Sequence, residues 1–299
     1  MPSFGSPASS APAHGRHSST PRTRPLLEAA VQVTMVVQVL ILVASAGGLT
    51  VAGLYRDPVA VSSILQGYDL VTLSLVFPGL AVALPGVRRG SVLARLVWIG
   101  LLAACVRTYA GYVFAAALTA FFLVHVSVLT AATIALLLAL ASFDVSALAT
   151  GLGRWTLARP FAVWLVLLGV GLAAVSIYGT VWFVVTGGIP PGTALVETDE
   201  LVQVGAALDL WLLVPAYLTG GLLLWRRAAW GYVAAVAVLV SGVVQQLGRL
   251  VAMPFQVRAG VAGAVAGDPV EQVAAAVLVV TTAALLGPLV VRAFRSRRR

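Results

Sequence analysis

Eight polar side chains stand in stretches of sequence that are otherwise almost wholly apolar: Asp69, Arg107, His125, Tyr178, Asp209, Gln245, Gln246 and Arg249. Ionisable groups are expensive in hydrocarbon, and those that remain there face protein or water and mark binding sites, relays or charge pairs. A carboxylate beside a guanidinium makes an ion pair or grips a polar ligand. A histidine titrates near neutral pH and can carry a proton. Hydroxyl and amide groups add donors and acceptors without charge. These eight residues form the candidate binding set; no catalytic residue is assigned, because the chain has no nucleophile motif, no acidic cluster suited to a diphosphate and no cofactor fingerprint.

Several chemistries are excluded by composition. All 19 basic residues are arginine, so a retinal-type Schiff base, which needs a lysine, is ruled out. Of the three histidines, His14 and His17 lie near the chain start and only His125 lies in an apolar run, which rules out bis-histidine haem. With one cysteine, Cys105, there is no intrachain disulfide, and no zinc or copper ligand set has normal spacing. The expectation is no cofactor and no metal.

The elements that must position these residues follow from a chain that is 60% hydrophobic and 10% charged. That composition specifies an all-α, polytopic integral membrane protein. A spanning helix needs about 20 mostly apolar residues. Eight such runs are predicted, near 26–54, 68–86, 91–114, 117–141, 161–186, 203–225, 229–253 and 272–293. Residues 115–118, "AAAL", are read as a tight hairpin between the third and fourth.

Basic residues in short loops mark the cytoplasmic side of a membrane. Arg88, Arg89, Arg226 and Arg227, together with Arg16, Arg22, Arg24, Arg154, Arg159 and the arginines from 292 to 299, fall on one side when the loops are alternated. Asp57, Glu197, Asp199, Glu200, Asp268 and Glu271 fall on the other. The expected location is the inner (plasma) membrane, with both termini cytoplasmic. The net charge of +9 is a topology signal and an attraction for anionic lipids, not a nucleic-acid footprint. Membrane lipids are therefore expected partners, together with a small lipophilic ligand and a second copy or a larger membrane complex. The expected organisation is a disordered tail at 1–24, a four-helix half at 25–141, a linker at 142–160, a second half at 161–294 and a basic end at 295–299. In the linker, Phe143, Leu148, Leu152 and Trp155 are spaced as one face of an amphipathic helix.

Residues 68–90, "YDLVTLSLVFPGLAVALPGVRRG", lie over 208–231, "LDLWLLVPAYLTGGLLLWRRAAWG", with Asp69 opposite Asp209, Pro78 near Pro215 and the arginine pairs in near register. This predicts a parallel repeat of two four-helix halves about an axis along the membrane normal. The Asp-Leu start of the second span, "RRGS" at 88–91, "YAGY" at 109–112 and "LLWRRAAWGY" at 223–232 resemble a family of uncharacterised bacterial and archaeal polytopic membrane proteins. The likeness covers residues 65–255 and implies a membrane bundle with no assigned activity.

Counting about 1.5 Å per residue from the arginine turns puts seven of the eight candidates about 24–27 Å up, with Arg249 one turn higher. Two interhelical pairs are expected, Asp69 with Arg107 and Asp209 with Arg249, with His125 and Tyr178 approaching the same space. A competing reading has the acids and arginines only anchoring helix ends, where the helix dipole favours them. Tyr109, Tyr112 and the seven tryptophans are expected as interface-belt residues, and Gly47, Gly48, Gly169 and Gly171 as close-packing positions. Three function classes stay open: binding or transport of a small molecule or lipid through this polar layer, a structural subunit of a membrane complex, or an intramembrane enzyme acting on a lipid or isoprenoid.

Overall fold

The computed structural model describes residues 23–145, 148, 158–190 and 192–297, with side chains between 24 and 290. Among them there is no strand, and eight helices are long and apolar enough to cross a membrane. They are α1 (Thr23–Thr50), α2 (Val59–Arg88), α3 (Val92–Phe114), α4 (Phe122–Ala141), α5 (Ala158–Thr186), α6 (Asp199–Trp225), α7 (Ala229–Arg258) and α8 (Pro269–Arg297). At about 1.5 Å per residue each is long enough for a hydrocarbon layer about 30 Å thick.

The second span begins at Val59 rather than near 68, because Pro58 opens a first turn rich in small and β-branched residues. The expected tail falls almost entirely outside the described residues. So do Leu152 and Trp155 of the linker, whereas Phe143 and Leu148 are buried against the bundle.

The even-numbered connections carry arginine, and of the odd-numbered ones the first, fifth and seventh carry acid while the third is uncharged, so the bundle has an arginine-rich end and an acidic end. At the former, α2 and α6 stop in left-handed backbone, at Gly90 (φ 78°) and Arg227 (φ 57°). Glycine takes that conformation without strain; arginine does not. Ser91 then caps α3, its Oγ accepting from the Ala94 N–H at 3.3 Å.

Helix α7 is central and packs on α2, α3, α6 and α8. Glycines set the closest approaches. A Cβ on Gly67 of α2 would lie 2.5 Å from the Ala252 Cα of α7, and one on Gly100 of α3 would lie 2.5 Å from the Val240 Cβ. Gly47 faces the Phe121 ring, and Gly169 lies against Tyr217 of α6. Gly171 differs from expectation: nothing stands within 4 Å of a Cβ there, because its face of α5 points out of the bundle.

Both α2 and α6 contain one wide π-helical turn, at Thr72–Val76 and Asp209–Leu213. Each begins six residues before a proline, Pro78 or Pro215, and each helix reaches its left-handed residue twelve positions after that proline. In this register Thr72, not Asp69, stands opposite Asp209. Asp69 lies three residues, or about 4.5 Å, nearer the acidic end, so the expected equal depth of the two acids is corrected. The offset lies in the sequence spacing, since Asp69 is nine residues before its proline and Asp209 six: Asp69 precedes the wide turn of its helix, whereas Asp209 opens its own.

Candidate functional site: a charged cavity and a caged carboxylate

The candidate residues divide into two groups. Arg107, Tyr178, Asp209, Gln245, Gln246 and Arg249 line one cavity of about 590 Å³ toward the acidic end, between α5 and α6 on one side and α2, α3 and α7 on the other. Asp69 and His125 do not line it. They sit behind its Tyr112 wall, in a separate cluster with α1 and α4.

Neither expected ion pair forms. Arg107 reaches across to α6, where its Nη2 donates to Asp209 Oδ1 at 2.9 Å. The reason is angular. At about 100° per residue, Arg107 points about 160° away from Tyr109 and about 140° from Tyr112, and it is those tyrosines that face Asp69. Arg249 stands beyond Asp209 and meets carboxylates from two other segments. Its Nη2 and Nε donate to Glu271 Oε1 at 2.8 and 3.0 Å, and its Nη1 lies 3.7 Å from Glu197 Oε1. Gln246 donates to both the carboxylate and the carbonyl oxygen of Glu271. Gln245 donates to Thr108 Oγ1 at 2.7 Å, tying α7 to α3.

Glu197 and Glu271 are thus cavity residues that their reading as outer-loop acids missed. The signal for Glu271 was its place two residues after Pro269, a helix-opening proline, which puts it inside α8 rather than before it. Glu197 is held by a neighbour the sequence gave no reason to choose. The fully buried Gln256 donates from Nε2 to Val196 O at 2.7 Å and to Ala60 O at 3.0 Å, and accepts from the Val196 N–H at 3.1 Å. Burial pushes the Glu197 carboxyl above the usual carboxylate range, opposed by Arg249 and reinforced by Glu271.

Deeper in the bundle the lining turns apolar, with Leu172, Leu213 and Leu278. One wall is open. Val175 and Tyr178 line the cavity while being 70% and 56% exposed on α5.

The second group is closed. Asp69 is 1% exposed; its Oδ2 accepts a hydrogen bond from the Tyr55 hydroxyl and its Oδ1 lies 3.0 Å from the Tyr112 hydroxyl oxygen. Gly48 leaves the room for it, since a Cβ there would collide with both Asp69 Oδ2 and Tyr55 Oη. Tyr109 stacks on Tyr112 at 5.3 Å between ring centroids, and the His125 ring lies 4.9 Å from Tyr112. Tyr109 and Tyr112 are therefore buried, not belt residues, because their hydroxyls serve an interior carboxylate and Ser45. Trp98 is likewise interior, donating to Thr34 Oγ1 at 3.1 Å, while Trp211, Trp225 and Trp230 are exposed. The described residues include no group of three or more His, Cys, Asp or Glu able to hold a metal ion. No family model, curated protein or solved structure matches the chain.

Proposed function

We propose that the protein binds an amphipathic, lipid-like molecule in the α5–α6 cavity, and that this binding is the step on which any transport of the molecule depends. The observation that carries the reading is the two-part lining of a cavity of about 590 Å³. Arg107, Asp209, Arg249, Glu197 and Glu271 supply charges of both signs near the acidic end, and leucines and valine line the rest. Such a volume suits a small ligand or part of a lipid. A headgroup would meet the charges, and a chain would lie toward the open wall at Val175. Gly179 and Gly205 also line the cavity and have nothing within 4 Å of a Cβ, so the side chains of Gly205→Trp and Gly179→Trp start into open space. In native mass spectrometry with added phosphatidylethanolamine or phosphatidylglycerol, the unmodified protein is expected to retain a bound lipid mass that both tryptophan variants lose. Equal retention in all three proteins would refute the reading.

The same proposal places the arginine-rich end in the cytoplasm and the acidic end outside, on the charge bias of the short loops. Asp199→Cys should then react with an impermeant thiol reagent on intact cells, and Arg89→Cys should not. The reverse pattern would invert the topology. The matched wide turns, prolines and left-handed stops of α2 and α6 support a duplicated hairpin as the origin of the two halves.

A further inference from the structure

We infer that Asp69 is a proton-binding site, that it holds a proton in the state described, and that it exchanges this proton with the cavity through Tyr112. Tyr112 Oη lies 2.8 Å from the Leu65 carbonyl oxygen and 3.0 Å from Asp69 Oδ1, and the phenol has one hydrogen. If Asp69 were ionised, that one hydrogen would have to be shared between the two oxygens as a three-centre bond, which is weak support for a buried charge. If Asp69 carries a proton on Oδ1, every hydrogen has a place: Tyr55 donates to Oδ2, Asp69 donates to Tyr112 Oη, and Tyr112 donates to Leu65 O.

The surroundings agree. From α1 the site meets only Ser45 and Gly48; before α2 it meets Tyr55; from α3 it meets Tyr109 and Tyr112, with Cys105 a turn below; from α4 it meets His125. On the α7 side Arg249 pairs with Glu271 and Glu197 instead. Among the described residues no basic nitrogen lies within ion-pair distance of Asp69. A buried carboxylate without a cation is costly, and protonation removes that cost. Burial raises the Tyr55 phenol above its usual range, so it remains a donor.

Tyr112 and Leu65 both line the cavity. Release is therefore a two-step hand-over. The Tyr112 hydroxyl first turns from the Leu65 carbonyl toward a water in the cavity; Asp69 Oδ1–H then gives its proton to Tyr112 Oη as the phenol gives its own to that water. One proton leaves, and one negative charge stays on Asp69. The route uses the shape of the cavity and not its occupant, so the inference stands apart from the lipid reading.

Infrared spectra of the protein in phospholipid vesicles test it. At neutral pH the unmodified protein should show the carbonyl stretch of a protonated, water-shielded carboxyl group, and the band should be lost in Asp69→Asn but kept in Asp209→Asn. Tyr112→Phe provides a second reading that does not depend on the folding of Asp69→Asn: it removes the acceptor, so the band should move to higher frequency, and its exchange in D₂O should slow. A band absent at neutral pH, or one unmoved by Tyr112→Phe, overturns the protonated site. An unslowed exchange overturns the route.

Discussion

Replacing Arg249 by methionine is expected to lower folding stability by about 3 kcal/mol, because it leaves Glu197 and Glu271 facing one another without the cation they share. A loss of that size is a large share of the roughly 5–15 kcal/mol that holds a domain folded. Methionine fills much the same volume, so the effect reports charge rather than packing. Adding Glu271→Gln should recover a good part of the loss, since the remaining glutamate then has an uncharged amide beside it. Unfolding curves in a mild detergent for the two single variants and the double variant would measure the coupling. Additive losses would show that Arg249 and Glu271 act independently and that the ion pair contributes nothing.

Gln256→Leu is the second large effect, also of about 3 kcal/mol, since one substitution removes the three hydrogen bonds of a fully buried amide and leaves the Val196 N–H and carbonyl unpaired. The consequence is local as well as global. Val196 precedes Glu197, so losing the clamp frees the segment that brings Glu197 to Arg249. Limited proteolysis should cut the connection between α5 and α6 faster in Gln256→Leu than in the unmodified protein, before the helices themselves are cleaved. An unchanged cleavage rate would mean that Leu195, buried beside Ile64, Ala252 and Met253, holds the segment unaided.

The spans were legible in the sequence because hydropathy and length depend on composition alone. The height of the polar layer was legible because rise per residue is constant. Which polar residues meet was not legible, because that depends on rotation about each helix axis. Arg107 shows this: it shares a helix with Tyr109 and Tyr112, and only its angular position sends it to Asp209 rather than Asp69. The wide turns compound the difficulty, since each rotates the faces beyond it by about 100° relative to a uniform helix. Tyrosine was misread for a different reason. Its apolar ring and polar tip suit both a membrane interface and a buried carboxylate, and sequence does not distinguish the two. Glu197 and Glu271 were missed because an error of a few residues in a span boundary moves an acid from cavity wall to loop.

Helix α6 is mechanically two rods joined at the turn over Asp209–Leu213. The rod at the arginine-rich end is seated, with Gly221 against the Ala162 carbonyl of α5 and Gly231 of α7 against its last turn. The other rod, Asp199–Leu208, is ten residues long, or about 15 Å. It is a lever arm whose fulcrum carries Asp209, the residue that ties it to Arg107. A swing of about 10° at that fulcrum would carry Asp199 about 2.6 Å, while the seated rod stays where it is. The tip of the arm is tied as well, because Gln256 clamps Val196 and Arg249 meets Glu197 just ahead of Asp199, so the width of the cavity mouth is set by contacts at both ends of the arm.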